Sequence, residues 1–248
     1  MFQRINYKKL AKKQLKGRFK TAFFATLICF AISALIASPT MKETTETSIS
    51  TNAHLASYSD FDYEYEFENE PFHVEIYEPN YIFIWNLISV AISGVLLMAY
   101  AFLFLQYFRR PQDKIVFKDF LKGFSLWIQG ILSIFWYSLW VFLWSLLFVI
   151  PGIVKSISYS QMFFIIAENP KISVRKAMQI SKVMTKGFKG DLFVMGLSFI
   201  GWEILCVLTF FILQLWVTPY EMMSFTNAYK DLKAQAIRRG ILTAEDFQ

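Results

Sequence analysis

Two glutamates lie inside otherwise uncharged apolar stretches near the end of the 248-residue chain. Glu203 falls in the stretch 192–211, and Glu221 in the stretch 213–229. If these stretches form a membrane hairpin that turns near residue 212, each carboxyl group is nine residues from the turn. At 1.5 Å per residue each carboxyl group then lies about 13 Å deep, near the middle of a hydrocarbon core about 30 Å thick. Ionisable groups at that depth are rare and often mark ion or proton paths.

Two carboxyl groups that face each other in such a medium cannot both ionise cheaply, so they would share a proton or hold a cation. Pro219, two residues before Glu221, frees a backbone carbonyl that can join the same site. A proton or cation relay is one interpretation of the pair. The other is structural: each glutamate is protonated and hydrogen-bonded to a polar neighbour, or points into a hydrated groove.

The elements that would hold these glutamates are indicated by composition. Hydrophobic residues make up 55% of the chain and charged residues only 18%, against about 25% charge in a typical soluble domain. A membrane helix needs about 20 predominantly apolar residues. Six stretches approach or exceed that length, and they predict an all-α, polytopic membrane domain over residues 1–248, arranged as three hairpins. The predicted spans are about 21–37, 81–108, 124–150, 153–167, 192–211 and 213–229, with a turn at Pro151-Gly152 between the third and fourth.

The placement of Lys and Arg predicts the orientation of the spans. Of the 25 cationic residues, 23 fall in four segments on one side, and only Lys42 and Lys155 fall on the other. Short cytoplasmic loops carry the excess of Lys and Arg, so both termini are predicted to be cytoplasmic. An even number of spans agrees with that orientation. A cleaved signal peptide is the competing interpretation of the first apolar stretch.

A lysine-glycine pair occurs three times, each time after a short basic amphipathic segment and before a predicted hairpin. The copies are Lys16-Gly17, Lys122-Gly123 and Lys186-Gly187. Glycine tolerates the left-handed conformation that ends a helix, so each pair is predicted to join a basic helix to a span. Such basic helices lie in the membrane interface with their cations toward anionic head groups. The three lysines are therefore predicted to be lipid head-group anchors.

The predicted outer loop, residues 38–80, is strongly acidic, with ten acidic residues and one lysine. Acidic and aromatic residues alternate from Asp60 to Glu68, which in an extended chain places carboxylates on one face and rings on the other. One interpretation is a docking strip for cations or for the sheet edge of a partner. The other is a solvated loop that keeps positive charge off the outer surface. The two histidines, His54 and His73, both lie here and are too few to predict a metal site.

Several classes of function are excluded by what the sequence lacks. It has no nucleophile elbow, zinc-protease motif or phosphate-binding loop. Nucleic-acid binding requires a basic patch on a soluble domain, and no such domain is present. Cys29 and Cys206 lie in apolar stretches and are not spaced as a redox or zinc motif. We therefore predict that the protein is not an enzyme, holds no metal or cofactor, and does not bind nucleic acid.

Several motifs point to a known family. They are Pro151-Gly152-Ile153, Ala167-Glu168-Asn169-Pro170, Met184-Thr185-Lys186-Gly187, Leu197 to Trp202, Ala228 to Leu232 and, in the first half, Ala11 to Gly17 and Asp119 to Phe124. Together they resemble the domain-of-unknown-function family 975 of bacterial integral membrane proteins, over nearly the whole chain except the acidic loop. The pattern is also distantly similar to the membrane domain of some glycerophosphodiester phosphodiesterases. The resemblance implies a multi-span membrane protein of bacterial type and supplies no activity or catalytic residue.

These observations lead to two main hypotheses of function. The first is a non-enzymatic scaffold or accessory in envelope or lipid-related processes, with anionic lipids and a further membrane protein as partners. The alternative is a small transporter or channel whose path lies near Glu203 and Glu221. An intramembrane lipid-processing enzyme has the least support, because no nucleophile and base can be paired.

Overall fold

The computed structural model describes residues 2–37 and 79–247. Nearly all of the predicted acidic loop 38–80, with His54 and His73, lies outside these residues. Every regular element in the described ranges is helical, as the sequence predicts. The α-helices are α1 (Arg4–Leu15), α2 (Phe19–Ala37), α3 (Pro79–Arg109), α4 (Phe117–Gly123), α5 (Trp127–Leu147), α6 (Val149–Tyr159), α7 (Met162–Glu168), α8 (Val174–Met184), α9 (Lys189–Leu197), α10 (Ile200–Leu208) and α11 (Gln214–Arg238).

Five helical segments of the described chain are long and apolar enough to cross a membrane, judged by length and composition. They are Phe19–Ile36, Phe83–Arg109, Phe117–Leu147, Val149–Glu168 and Lys189–Leu208. All but the first residue of the predicted sixth span, 213–229, lies within α11, which is not among the five because polar residues recur along it. The predicted membrane character is therefore supported, while the count of six is not confirmed.

Two of the predicted spans are broken helices. The span predicted at 153–167 consists of the end of α6 and most of α7, and the span predicted at 192–211 contains most of α9 and all of α10. The turn predicted at Pro151-Gly152 was misplaced, because α5 ends before the extended residue Phe148 and α6 begins directly after it. Pro151 lies in the first turn of α6, where a missing N–H breaks no helical hydrogen bond. Gly152 instead allows close packing, since a Cβ atom there would lie 2.1 Å from the Ser145 hydroxyl oxygen.

Helix α3 is the centre of the bundle and packs against α5, α7, α4 and α11. Most of its C-terminal half is buried, and Met98, Phe104 and Tyr107 are fully buried there. Where α3 crosses α5, a Cβ atom on Gly94 would lie 2.6 Å from the carbonyl oxygen of Gly130. Small residues at this crossing let the two backbones approach closely, as in packed membrane helices.

The predicted basic helices α1 and α8 turn their apolar faces toward protein. Tyr7, Ala11 and Leu15 are buried at helical spacing along α1, which packs lengthwise against α11. Helix α8 packs against α7 and α6, and Ser173 is its N-cap, because the Ser173 hydroxyl accepts a hydrogen bond from the Lys176 N–H at 3.3 Å. The apolar stripes of these helices therefore contribute to the protein core.

The three glycines of the Lys-Gly pairs do not share one conformation. Gly17 and Gly187 have φ angles of 78° and 90°, so the predicted left-handed helix ends are confirmed there. The prediction was wrong for Gly123, whose φ of −64° continues the helix into a 3-10 turn. The physical reason for glycine at that position is proximity to α3: a Cβ atom on Gly123 would lie 2.5 Å from the Cα atom of Ala99.

Candidate functional site

Glu168, the last residue of α7, is surrounded by cations from two other helices. Its carboxylate oxygens lie 2.5 Å from the Lys230 Nζ atom and 3.0 Å from the Lys233 Nζ atom, both on α11. Arg109, the last residue of α3, lies 3.7 Å away. The Tyr229 hydroxyl donates a further hydrogen bond at 2.5 Å. One carboxylate therefore joins the ends of α3 and α7 to α11, and we call these five residues the Glu168 cluster.

The Glu168 cluster carries more positive than negative charge. Three cations face one carboxylate, and the side chains of Glu168 and Lys230 are only 17% and 15% exposed. Burial lowers the pKa of Lys230, and the neighbouring Glu168 opposes that shift. Lys233 also lies 4.2 Å from the ring centre of Phe247, a favourable cation–π distance. Such a cluster holds the helix ends together through charge-assisted hydrogen bonds and has a net positive charge.

A polar cavity of about 430 Å³ lies next to α1 and the end of α11. The Tyr7 hydroxyl donates to the Asp231 carboxylate, which also accepts from the Gln235 amide at 2.7 Å. Burial and the Asp231 hydrogen bond raise the pKa of Tyr7 to about 12. The cavity is lined by Gln3, Tyr7, Asp231, Gln235, Arg238 and Arg239. Its lining thus contains two arginines and one aspartate.

The N-terminal segment is also bonded to the linker after α3. The Arg18 guanidinium donates to the carbonyl oxygens of Arg110 at 2.6 Å and of Asp113 at 3.0 Å. The Tyr107 hydroxyl in turn donates to the Arg18 carbonyl oxygen at 2.7 Å. Together with the Glu168 cluster, these bonds bring the cationic segments before α2, after α3 and at the end of α11 to one end of the bundle.

Glu203 and Glu221, the predicted polar pair, are both partly buried and lie within electrostatic range of each other. Glu221 is also within range of Lys8 on α1. The Lys8 Nζ atom donates to the Ser198 carbonyl oxygen at 3.2 Å and lies 3.8 Å from the ring centre of Phe199. Sequence reasoning did not place a lysine beside this pair. A shared proton or bound cation at the two glutamates stays a prediction.

The three predicted anchor lysines occupy different settings. Lys16, Lys122 and Lys186 are all exposed. Lys16 is the C-cap of α1, whereas Lys122 lies in the last turn of α4 and pairs with Asp119 at 3.4 Å. Exposure is compatible with contact to lipid head groups, and that role stays a prediction.

The Glu168 cluster was missed at the sequence level, although both of its halves were noted as family motifs. Glu168 is the only acidic residue between Asp119 and Asp191, and it stands just before the cationic segment 171–189, which carries six Lys and Arg residues. A lone carboxylate beside such a segment is a signal for a specific ion pair. Its partners on α11 are more than 60 residues away in the chain, so spacing alone does not reveal them.

Comparison with known proteins bears on the same region. Residues 146–236 match the model of a family described as Protein of unknown function (DUF975). This match agrees, over these residues, with the resemblance that the motifs indicate. The DUF975 region contains Glu168, Tyr229, Lys230 and Lys233, so all of the Glu168 cluster except Arg109 falls inside it. No curated protein and no solved structure matches the chain.

Proposed function

We propose that this DUF975-containing chain is a multi-pass protein of the bacterial plasma membrane that acts as a non-enzymatic scaffold or accessory in envelope or lipid-related processes. The observation that carries the proposal is the joining of cationic segments at one end of an apolar helical bundle. Cationic residues concentrate on the cytoplasmic side of membrane proteins. Both termini are accordingly proposed to be cytoplasmic.

Anionic lipid head groups are the first proposed partners. Lys16, Lys122 and Lys186 are exposed, and the Glu168 cluster holds two more cations than carboxylates. A cation close to an anionic membrane surface contributes about 1 kcal/mol of attraction. Several such cations at one end would hold anionic lipid against the basic helices and present a charged surface to a second membrane protein.

Co-purification from native membranes, followed by mass spectrometry of lipids and proteins, tests this proposal. We expect enrichment of anionic lipids over their share of the membrane, together with one recurring membrane protein. A Lys16→Gln, Lys122→Gln, Lys186→Gln triple variant should lose most of the lipid enrichment. An unrelated multi-pass protein purified in the same way is the control. Equal lipid profiles for the protein, the variant and the control would contradict the proposal.

The alternative is a small transporter or channel, and one observation favours keeping it. Glu203, Glu221 and Lys8 form a group of three ionisable residues beside apolar helices. If this group carries protons or cations, purified protein in liposomes should show flux that Glu203→Gln and Glu221→Gln abolish. The scaffold hypothesis instead expects both variants to behave like the parent protein in any deletion phenotype. Flux that persists in both variants would rule out this path.

A further inference from the structure

We infer that the α5–α6 and α10–α11 hairpins enter the bilayer from the side of the basic segments, end no deeper than about its middle, and do not cross the membrane. This inference rests on the proposed membrane location and deepens it. The surface in question consists of the two apolar hairpin tips. Its partner is the acyl-chain layer of the membrane. Helices α2 and α3, which lie on either side of the acidic segment, are then the pair that crosses the whole membrane.

The tip of the α5–α6 hairpin has no polar side chain. The residues from Leu146 to Ile153 are Leu, Leu, Phe, Val, Ile, Pro, Gly and Ile. Phe148, Val149 and Ile150 at the turn are 70–75% exposed. A turn that emerges into water is normally built from Gly, Asn, Asp, Ser and Pro, whose polar or special backbone properties suit it. A contiguous exposed patch of large apolar residues instead marks contact with lipid or another apolar surface.

Basic residues approach this tip from the predicted cytoplasmic side. The Ser181 hydroxyl on α8 donates to the Ser158 carbonyl oxygen on α6 at 2.8 Å. One turn earlier on α6, Lys155 lies within electrostatic range of Lys182 and Lys189. Counting of charges along the sequence assigned Lys155 to the opposite side of the membrane. Its position beside the basic segment assigns it to the same side.

The distance from those cations to the tip is short. Phe148 precedes Lys155 by seven residues, which is about 10 Å at the helical rise of 1.5 Å per residue. The hydrocarbon core is about 30 Å thick. On the other arm, Arg175 of α8 lies 5.0 Å from the ring centre of Trp136 on α5, twelve residues before Phe148, which is about 18 Å. Measured from the nearest cation on each arm, the tip therefore lies no deeper than about the middle of the bilayer. The Lys155 ammonium group, 4.0 Å from the ring centre of Trp144, can extend back toward the near interface.

The α10–α11 hairpin repeats this design. Lys8 of the basic helix α1 donates to the Ser198 carbonyl oxygen and lies within range of Glu221, so both bases of the hairpin lie beside a cation. Phe210 at the tip is 87% exposed, and no charged residue lies between Glu203 and Glu221. From Ser198 to Phe210 is twelve residues, or about 18 Å if helical throughout. That length reaches the bilayer middle.

Site-directed labelling of the full-length chain tests the inference. In a background with Cys29→Ala and Cys206→Ala, single cysteines replace Phe148 or Phe210, with Ile150→Cys as a second variant of the first tip. Ser59→Cys, in the acidic loop, is the outer control. A membrane-impermeant maleimide added to intact cells should label Ser59→Cys and leave the tip cysteines unlabelled. Tip labelling at the rate of the control would overturn the inference.

Depth measurement separates a tip inside the core from a tip hidden at the outer interface. Tip cysteines carrying bimane are reconstituted in vesicles of phosphatidylglycerol and phosphatidylethanolamine that contain nitroxide lipids. We expect at least twofold stronger quenching by nitroxides on the acyl chain than by nitroxides on the head group. The reverse order would overturn the inference. Failure of Ser59→Cys to label from outside, with the protein in the membrane fraction, would instead contradict the proposed orientation, so the two failures are distinguishable.

Discussion

At Glu168 a single carboxylate compensates cations from two other helices, so its loss should lower the stability of the bundle. We predict that Glu168→Gln lowers the free energy of unfolding by about 2 kcal/mol, because it leaves partly buried cations unpaired. Thermal unfolding of the detergent-solubilised protein measures this as a lower Tm. Glu245→Gln, at an exposed position, is the control and should leave Tm unchanged. Equal Tm values for Glu168→Gln and the parent protein would show that the cluster contributes no stability.

The raised pKa of Tyr7 leads us to predict that stability falls at high pH. Its pKa is raised to about 12 in the folded protein, while a tyrosine in an unfolded chain titrates near 10. The neutral phenol is therefore favoured by folding, so its contribution is fully present below pH 10 and is lost as the pH rises through 12. We expect Tyr7→Phe to cost about 1 to 2 kcal/mol at pH 8, because the hydrogen bond to Asp231 is removed.

The measurement is a comparison of unfolding midpoints for the parent protein and Tyr7→Phe from pH 8 to pH 12. The difference should be constant up to about pH 10 and should shrink above it, since only the parent protein titrates a phenol at this position. Lysines elsewhere titrate equally in both proteins, so their effects on stability cancel when the two midpoints are subtracted. A gap that is independent of pH up to 12 would contradict the assigned role of the Tyr7 hydroxyl group.

At the scale of elements, the contact between α4 and α3 depends on Gly123. We predict that Gly123→Ala lowers the free energy of unfolding by about 1 to 3 kcal/mol, because its Cβ atom would lie 2.5 Å from the Cα atom and 2.9 Å from the carbonyl oxygen of Ala99. Gly196→Ala is the matched control. Gly196 lies in α9 with no atom within 4 Å of a Cβ position, and alanine is the better helix former. Denaturant unfolding should rank the control at or above the parent protein and Gly123→Ala below it.

Sequence reasoning predicted elements well where local composition decides them. The first two spans, 21–37 and 81–108, differ from α2 and α3 by at most two residues at each end, because long apolar runs leave little choice of conformation. The α5–α6 turn was predicted at Pro151-Gly152 but lies at Phe148. Glycine and proline serve other purposes there, because Gly152 packs against Ser145 and the proline suits a first helical turn. The site around Glu168 depends on contacts with α11 that no local pattern encodes.

At the scale of the whole molecule, the cations at one end predict dependence on anionic lipid. We expect phosphatidylglycerol to raise the Tm of the purified protein more than phosphatidylcholine does. The Lys16→Gln, Lys122→Gln, Lys186→Gln variant should lose part of that increase, at up to about 1 kcal/mol for each charge. In 1 M salt the Debye length falls to about 3 Å, so the lipid effect should largely disappear. An increase insensitive to both the variant and salt would show that head-group charge is not what stabilises the protein.

The contact between α1 and α11 has a consequence for biosynthesis. Tyr7 and Asp231 bond to each other although they are 224 residues apart in the chain. At a synthesis rate of about 5 to 20 residues per second, roughly 11 to 45 seconds separate their emergence from the ribosome. During that interval the stripe of Tyr7, Ala11 and Leu15 has been made and its final neighbour has not. Helix α1 is thus made early but packs late, because its contact with α11 forms only after α11 has been synthesised. Until then its apolar stripe is available to a chaperone or an insertion factor.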